Sequence, residues 1–197
     1  MHSKRREPWL FDEWTNKRIK SSIQQRYTFL PYWYSLFYEH EVSGVAPMRP
    51  LWMEYPREAE TFAIEDQHLV GDGLLVKPVV QPGVNDIQVY LPGGAECLWY
   101  DIATYEAHPG AGYRQFAVTI ESIPVLQRGG SIIPKKERAR RSSTRMAKDP
   151  YTLVVALDRQ GEAKGRLYVD DFQSLDYQKG QYRLIEYTMS NKVLSSR

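Results

Sequence analysis

One cysteine, Cys97, is too few for an internal disulfide or a cysteine-based metal cluster. Flanked by Glu96 and by Leu98-Trp99, it reads as a small strand residue and not as a nucleophile. No stretch approaches the roughly 18 continuous apolar residues that a membrane-spanning helix needs, so no membrane association is expected. The basic start at Lys4-Arg5-Arg6 has no apolar segment behind it, and no signal peptide is expected in this chain. Net charge is also nearly absent, at +2, which removes any global field that would demand an acidic partner. The charge is concentrated instead: residues 135–149 (KKERARRSSTRMAKD) hold seven Lys/Arg against two acids. Internal repeats and long low-complexity segments are missing as well.

What the 197 residues do contain is aromatic and turn-forming: 14 Tyr and 5 Trp, with 12 Pro and 13 Gly. That mixture favours strands and turns over a helical bundle. The N-terminal part is the exception. Ile19, Ile23, Tyr27, Leu30, Tyr34 and Phe37 recur at helical spacing, with Thr15 or Asn16 as cap and Gly44 as stop. Pro31 removes a backbone donor inside this pattern, so a kink or split is expected there. Trp33, Leu36 and Tyr38 make the second half apolar on nearly every side, as in a helix wedged between two bodies.

From Ala46 the period changes to that of strands. Leu51, Met53 and Tyr55 alternate, as do Ile87, Val89 and Leu91, and again Phe116, Val118 and Ile120. The run Leu74 to Val80 predicts either a buried strand or an edge strand broken at Pro78. Pro82-Gly83, Pro92-Gly93-Gly94, Pro109-Gly110 and Gly129-Gly130 read as turns. This pattern predicts an antiparallel β-sandwich. Beyond the basic stretch, Leu153 to Leu157, Arg166 to Val169 and Tyr182 to Met189 predict three more strands, a partial second β-domain with an open edge. The expected organisation is a helical region over 1–45, a β-sandwich over 46–137, a solvated basic linker over 138–149 and the partial β-domain over 150–197. Nucleic-acid binding by the linker is the sharper alternative, and is not expected.

Residues suited to chemistry are sparse. Glu65, Asp66 and Asp72 lie close in sequence, as do Asp170, Asp171 and Asp176. Paired acids can do acid/base work or bind calcium, but neither group has EF-hand spacing, and neither role is expected. His40, His68 and His108 lack ligand-type spacing. No catalytic, metal or cofactor-binding residue is therefore assigned, and no cofactor is called for. Trp52 and Trp99 are the two candidates for stacking against a sugar ring, with a packing role in the core as the simpler alternative.

Several blocks, taken in order, resemble the C-terminal part of the glycoside hydrolase family 31 α-glucosidases. They are Met48-Arg49-Pro50-Leu51-Trp52, Asp66-Gln67, Leu74 to Val79, Val89 to Pro92, Trp99-Tyr100-Asp101 and Ile123 to Pro134. The segment Arg26 to Leu36 resembles that family's final barrel helix. Arg5-Arg6-Glu7-Pro8-Trp9 and Arg140-Arg141-Ser142-Ser143 are similar to the neutral α-glucosidase branch, which includes the glucosidase II α subunit. The resemblance implies the last helix of a (β/α)8 barrel, a proximal β-sandwich and the start of a distal β-domain. It further implies retaining hydrolysis of terminal α-linked glucose, an α-glucoside or N-glycan substrate, association with a β subunit and residence in the endoplasmic-reticulum lumen. A chain made as given, without a signal peptide, would instead be cytoplasmic.

The family's nucleophile sits in a Trp-x-Asp-Met-Asn-Glu type motif, which no segment here matches, so this polypeptide alone is expected to be inactive. The family's substrate-binding histidine is not assigned to His2, which precedes the matching stretch. A non-catalytic carbohydrate-binding or scaffold module is the alternative. One departure stands out: Asp170-Asp171-Phe172 replaces the family's Asp-Asp-Gly. If that turn keeps a positive φ, Phe172 strains it by roughly 1 kcal/mol or more.

Overall fold

The computed structural model describes residues 5–197, so His2, Ser3 and Lys4 lie outside the described residues. The helical pattern forms two helices, α1 (Glu13–Thr28) and α2 (Leu30–Ser43). The chain splits at Phe29, two residues before Pro31, which places the proline in the first turn of α2. There its missing N–H is one that no helix satisfies internally. The cap of α1 is Asp12, not Thr15 or Asn16: its Oδ1 accepts the Thr15 N–H at 2.9 Å, and the Thr15 hydroxyl donates back to Oδ2 at 2.7 Å. Gly44 ends α2 as expected, at φ +76° with its N–H on the His40 carbonyl.

Eleven strands follow among the described residues. β1 (Met48–Arg49), a one-turn helix α3 (Leu51–Glu54), β2 (His68–Val70), β3 (Leu74–Val76), β4 (Asp86–Asp101), β5 (Ala107–Ala117) and β6 (Val125–Arg128) build the first part. β7 (Ser131–Lys135), β8 (Thr152–Ala156), β9 (Ala163–Val169), β10 (Arg183–Ser190) and β11 (Val193–Ser196) build the second. The molecule is thus mainly β, with helices at its N-terminus and two sheets ordered β1-β2-β3-β6-β4-β5 and β11-β10-β9-β7-β8. The chain passes from one sheet to the other at Gly129-Gly130, and β7 is inserted between β8 and β9 in the second. Four strands follow residue 150, where three were expected; β11, all of it exposed, is the extra one and forms an edge.

Several local expectations are corrected. Leu51, Met53 and Tyr55 do not alternate along a strand: Pro50 opens a helical turn that closes with the Tyr55 N–H on the Leu51 carbonyl at 3.0 Å. Leu51 drops into the main core while Trp52 and Met53 stay in solvent. The strand through Phe116 ends at Ala117, so Val118 is buried but Ile120 is exposed in a turn. The run from Leu74 is a strand flanked by β2 and β6 that stops at Val76, ahead of Pro78.

Pro92-Gly93-Gly94 and Pro109-Gly110 are not turns either. They face each other inside the long β4/β5 ladder, with Gly94 opposite Gly110, where the register shifts. Pro92 contributes no donor there, and a bulge tolerates that. Turn and bulge recruit the same residue types, which is why the sequence pattern misassigns them.

α2 is stitched to both sheets through its buried residues Pro31, Tyr32, Ser35 and Leu36. The Tyr32 hydroxyl donates to the Val70 carbonyl at 2.9 Å and accepts the Gly73 N–H at 3.2 Å. Ser35 Oγ accepts the Tyr168 N–H of β9 at 3.0 Å. α1 has no buried residue at all.

The basic stretch, expected to be a solvated linker, folds back on itself. Lys136 is buried and donates from Nζ to the carbonyls of Met146 (2.7 Å) and Ala147 (2.9 Å). Burial pushes its pKa down. Asp149, also buried, takes a two-pronged grip from Arg140, at 2.9 and 2.6 Å. The arginines themselves remain exposed. The hydrogen bonds from Arg140 hold the Asp149 carboxyl below the usual carboxylate range. A depressed folded-state pKa stabilises the protein above the unfolded value of about 3.9 and ceases to do so as pH falls through the folded value. Asp149→Asn is therefore expected to flatten the loss of stability below about pH 4, read from urea unfolding at a series of pH values. Asp12 and Asp171, held low by hydrogen bonds with Thr15 and Ser174, would keep part of that slope in the variant.

Candidate functional site

The two tryptophans picked out for sugar stacking occupy opposite environments. Trp99 on β4 has 0% exposure and lies in one core cluster with Leu51, Val89, Leu91 and Leu126. Its indole N–H donates to the Pro92 carbonyl at 2.9 Å. Both ring faces are covered, so Trp99 acts in packing. Trp52 on α3 is 44% exposed and stacks nearly parallel to Phe62, itself 60% exposed, with centroids 6.4 Å apart and 6° between planes. Only Trp52 offers a ring to solvent.

Apart from Glu65, which is exposed, the clustered acids are occupied structurally. Asp66 pairs with Lys77, and Asp72 with Arg128 at 2.7 Å. Asp170 accepts from the Tyr34 hydroxyl at 2.8 Å and the Tyr168 hydroxyl at 3.0 Å, which ties α2 to β9. Burial followed by that carboxylate pushes both phenols up. Asp171 caps the backbone N–H groups of Gln173 and Ser174, and Asp176 pairs with Lys179 at 2.9 Å. Hydrogen bonds, led by the Ser174 N–H, lower the Asp171 pKa, whereas a general acid needs it raised. His40 contacts the Val45 carbonyl at 3.2 Å, His108 packs edge-on against Phe116, and burial lowers the pKa of half-buried His68. Among the described residues no three His, Cys, Asp or Glu side chains gather as a metal site, and no helix is long and apolar enough to cross a membrane.

Residues singled out for other reasons do converge. α2, the folded basic stretch and the turn after β9 enclose a cavity of about 310 Å³, lined among others by Trp33, Tyr34, Phe37, Met146, Tyr151 and Phe172. Phe172 holds φ at +60°, the left-handed conformation that glycine adopts freely, so the turn is kept and strained, where a different turn was the other outcome open to the sequence. Its ring lies 5.0 Å from that of Tyr34, and its N–H donates to Asp170 Oδ1 at 2.8 Å. The cavity itself was not legible in the sequence; the Asp-Asp-Phe departure was the one signal pointing to it.

The sequence matches the glycosyl hydrolase family 31 C-terminal domain over residues 44–133 and the family 31 TIM-barrel domain over residues 1–36. The chain belongs to glycoside hydrolase family 31. It is 47% identical over 196 residues to the neutral alpha-glucosidase AB of Dictyostelium discoideum, covering 99% of this chain and 21% of that protein. The Homo sapiens neutral alpha-glucosidase AB is 48% identical over 193 residues, 98% of this chain and 20% of that one. Among solved structures, the catalytic subunit in the ER glucosidase II heterodimer with the binding domain of its regulatory subunit superimposes with a TM-score of 0.93 at 36% identity. That match covers 98% of this chain and 21% of that one. This family 31 chain therefore spans about a fifth of the length of the curated relatives it matches. α1 and the start of α2 fall in the barrel match, and β1 to the start of β7 fall in the C-terminal-domain match.

Proposed function

We propose that this chain is the C-terminal scaffold of a retaining α-glucosidase, the part that covers one side of a catalytic barrel without itself holding the reacting groups. The supporting observation is α1 with the turn before it. Trp9, Leu10, Phe11, Trp14 and Ile23 are all exposed, no residue of α1 is buried, and this segment lies within the match to the family's TIM-barrel domain. An apolar face of that kind marks a surface that packs on another body.

Retaining hydrolysis needs a nucleophile and an acid/base about 5–5.5 Å apart across the scissile bond. Apart from Glu65, the clustered acids described above serve ion pairs, caps and tyrosine hydrogen bonds instead. The names of the relatives and of the heterodimeric structure support an α-linked glucoside as substrate, a regulatory partner subunit and the endoplasmic reticulum as compartment. N-glycans as the source of that glucose rest on the resemblance of the Arg5 to Trp9 and Arg140 to Ser143 segments to the neutral α-glucosidase branch. Within that reading Trp52, with Phe62, is the ring pair available to a sugar face.

The purified 197-residue chain, incubated with 4-nitrophenyl α-glucoside, is expected to release no nitrophenol above the buffer rate. Turnover that an active-site-directed glucosidase inhibitor abolishes would show that the chain carries its own catalytic carboxylates, and would overturn the proposal.

A further inference from the structure

We infer that the cavity between α2, the folded basic stretch and the turn after β9 is a binding site for a neutral pyranose sugar, and that Phe172 creates it. Its volume, about 310 Å³, reaches the lower end of the range for small-molecule sites. Aromatic rings line it: Trp33, Tyr34 and Phe37 from α2, and Phe172, whose ring packs against that of Tyr34.

The charged groups at the wall already have partners. Lys136 donates to the Met146 and Ala147 carbonyls, and Asp171 accepts from the Gln173 and Ser174 amides. A charged ligand would find no unpaired countercharge there. What remains are the hydroxyls of Ser143 and Thr144 and the carboxamide of Gln173, whose side chains make no hydrogen bond among the described residues. Aromatic rings bordered by neutral donors and acceptors suit a ligand with one apolar C–H face and a rim of hydroxyls. That is a pyranose.

Phe172 supplies an independent observation. A non-glycine residue at φ +60° is uncommon, and such strain persists where the surroundings demand that side chain. Glycine would adopt this backbone freely but would leave the cavity without one wall. The ring is still 44% exposed, so contact with Tyr34 alone does not use its surface.

Ligand-observed saturation-transfer NMR and calorimetry on the full chain, with maltose as probe, test the site. Binding is read without turnover, so its failure is distinguishable from the outcome of the hydrolysis assay. Maltose is expected to bind the wild type. Phe172→Gly is expected to weaken it about tenfold, in keeping with the loss of one aromatic wall, while the variant melts no lower than the wild type. Tyr105→Ala, which removes an exposed ring that lines neither the cavity nor α3, is expected to leave the affinity unchanged.

No saturation transfer from the wild type would overturn the proposal, as would equal affinity in Phe172→Gly. Loss of binding in Trp52→Ala alone would move the sugar to α3 and overturn it too. A cavity that takes up the apolar dye anilinonaphthalene sulfonate, undisplaced by maltose and dependent on Phe172, would be a site for apolar ligands and would refute the sugar assignment.

Discussion

Trp99→Ala is expected to destabilise the protein by about 3–5 kcal/mol, the range for removing a buried aromatic ring. Trp99 has no exposed surface and is the largest fully buried side chain among the described residues. It stands where β4 meets β6, opposite Arg128, and beneath α3, whose Leu51 shares its cluster. Truncation would leave a cavity that rigid strands on either side cannot collapse into. It would also strip the Pro92 carbonyl of the indole N–H that satisfies it. Trp52→Ala, on the same short stretch of surface as Phe62, is expected to change stability by less than about 1 kcal/mol. Urea unfolding of the two variants side by side measures the contrast. Equal midpoints would mean that Trp99 is not a core residue.

Gly110→Ala is expected to cost about 2–3 kcal/mol, large for the addition of one methyl group. A Cβ at Gly110 would stand 2.3 Å from the Pro92 carbonyl oxygen and 2.9 Å from that of Gly94, both main-chain atoms that no rotamer change can move. The β4/β5 ladder would have to separate at its bulge, and Pro92 would carry its carbonyl away from Trp99. Because Pro92 is the shared contact, Gly110→Ala and Trp99→Ala are expected to be less than additive in the double variant. Thermal and chemical denaturation of the four proteins of that cycle check both points. Full additivity would show that the bulge and the indole are not coupled.

Much of the secondary structure was legible because its causes are local. The helical spacing from Ile19 to Phe37, the break near Pro31 and the stop at Gly44 depend on backbone sterics within a few residues. Ile87, Val89 and Leu91 alternate because one face of β4 is buried, and they lie in a strand as expected. Phe172 belongs with these only in part, since a different turn was also open to the sequence. Its positive φ follows from the turn that Asp170 and Asp171 impose, and an L-residue with a side chain is strained there wherever it occurs.

The misassignments have nonlocal causes. Pro92-Gly93-Gly94 and Pro109-Gly110 looked like two turns because each was read alone, whereas they are the two sides of one bulge. Lys136 and Asp149 looked solvated because nothing nearby in sequence shows that the stretch closes over them.

By itself, then, the sequence determined the family and the mainly β class with its helical entry, since each rests on residue order or on local sterics. Only the tertiary structure decided which of two tryptophans faces solvent, where the chain crosses between its sheets, and that Phe172 and Trp33, 139 positions apart in the chain, line one cavity. Burial and pairing are properties of surfaces brought together across the whole chain, and no local pattern encodes which surfaces meet.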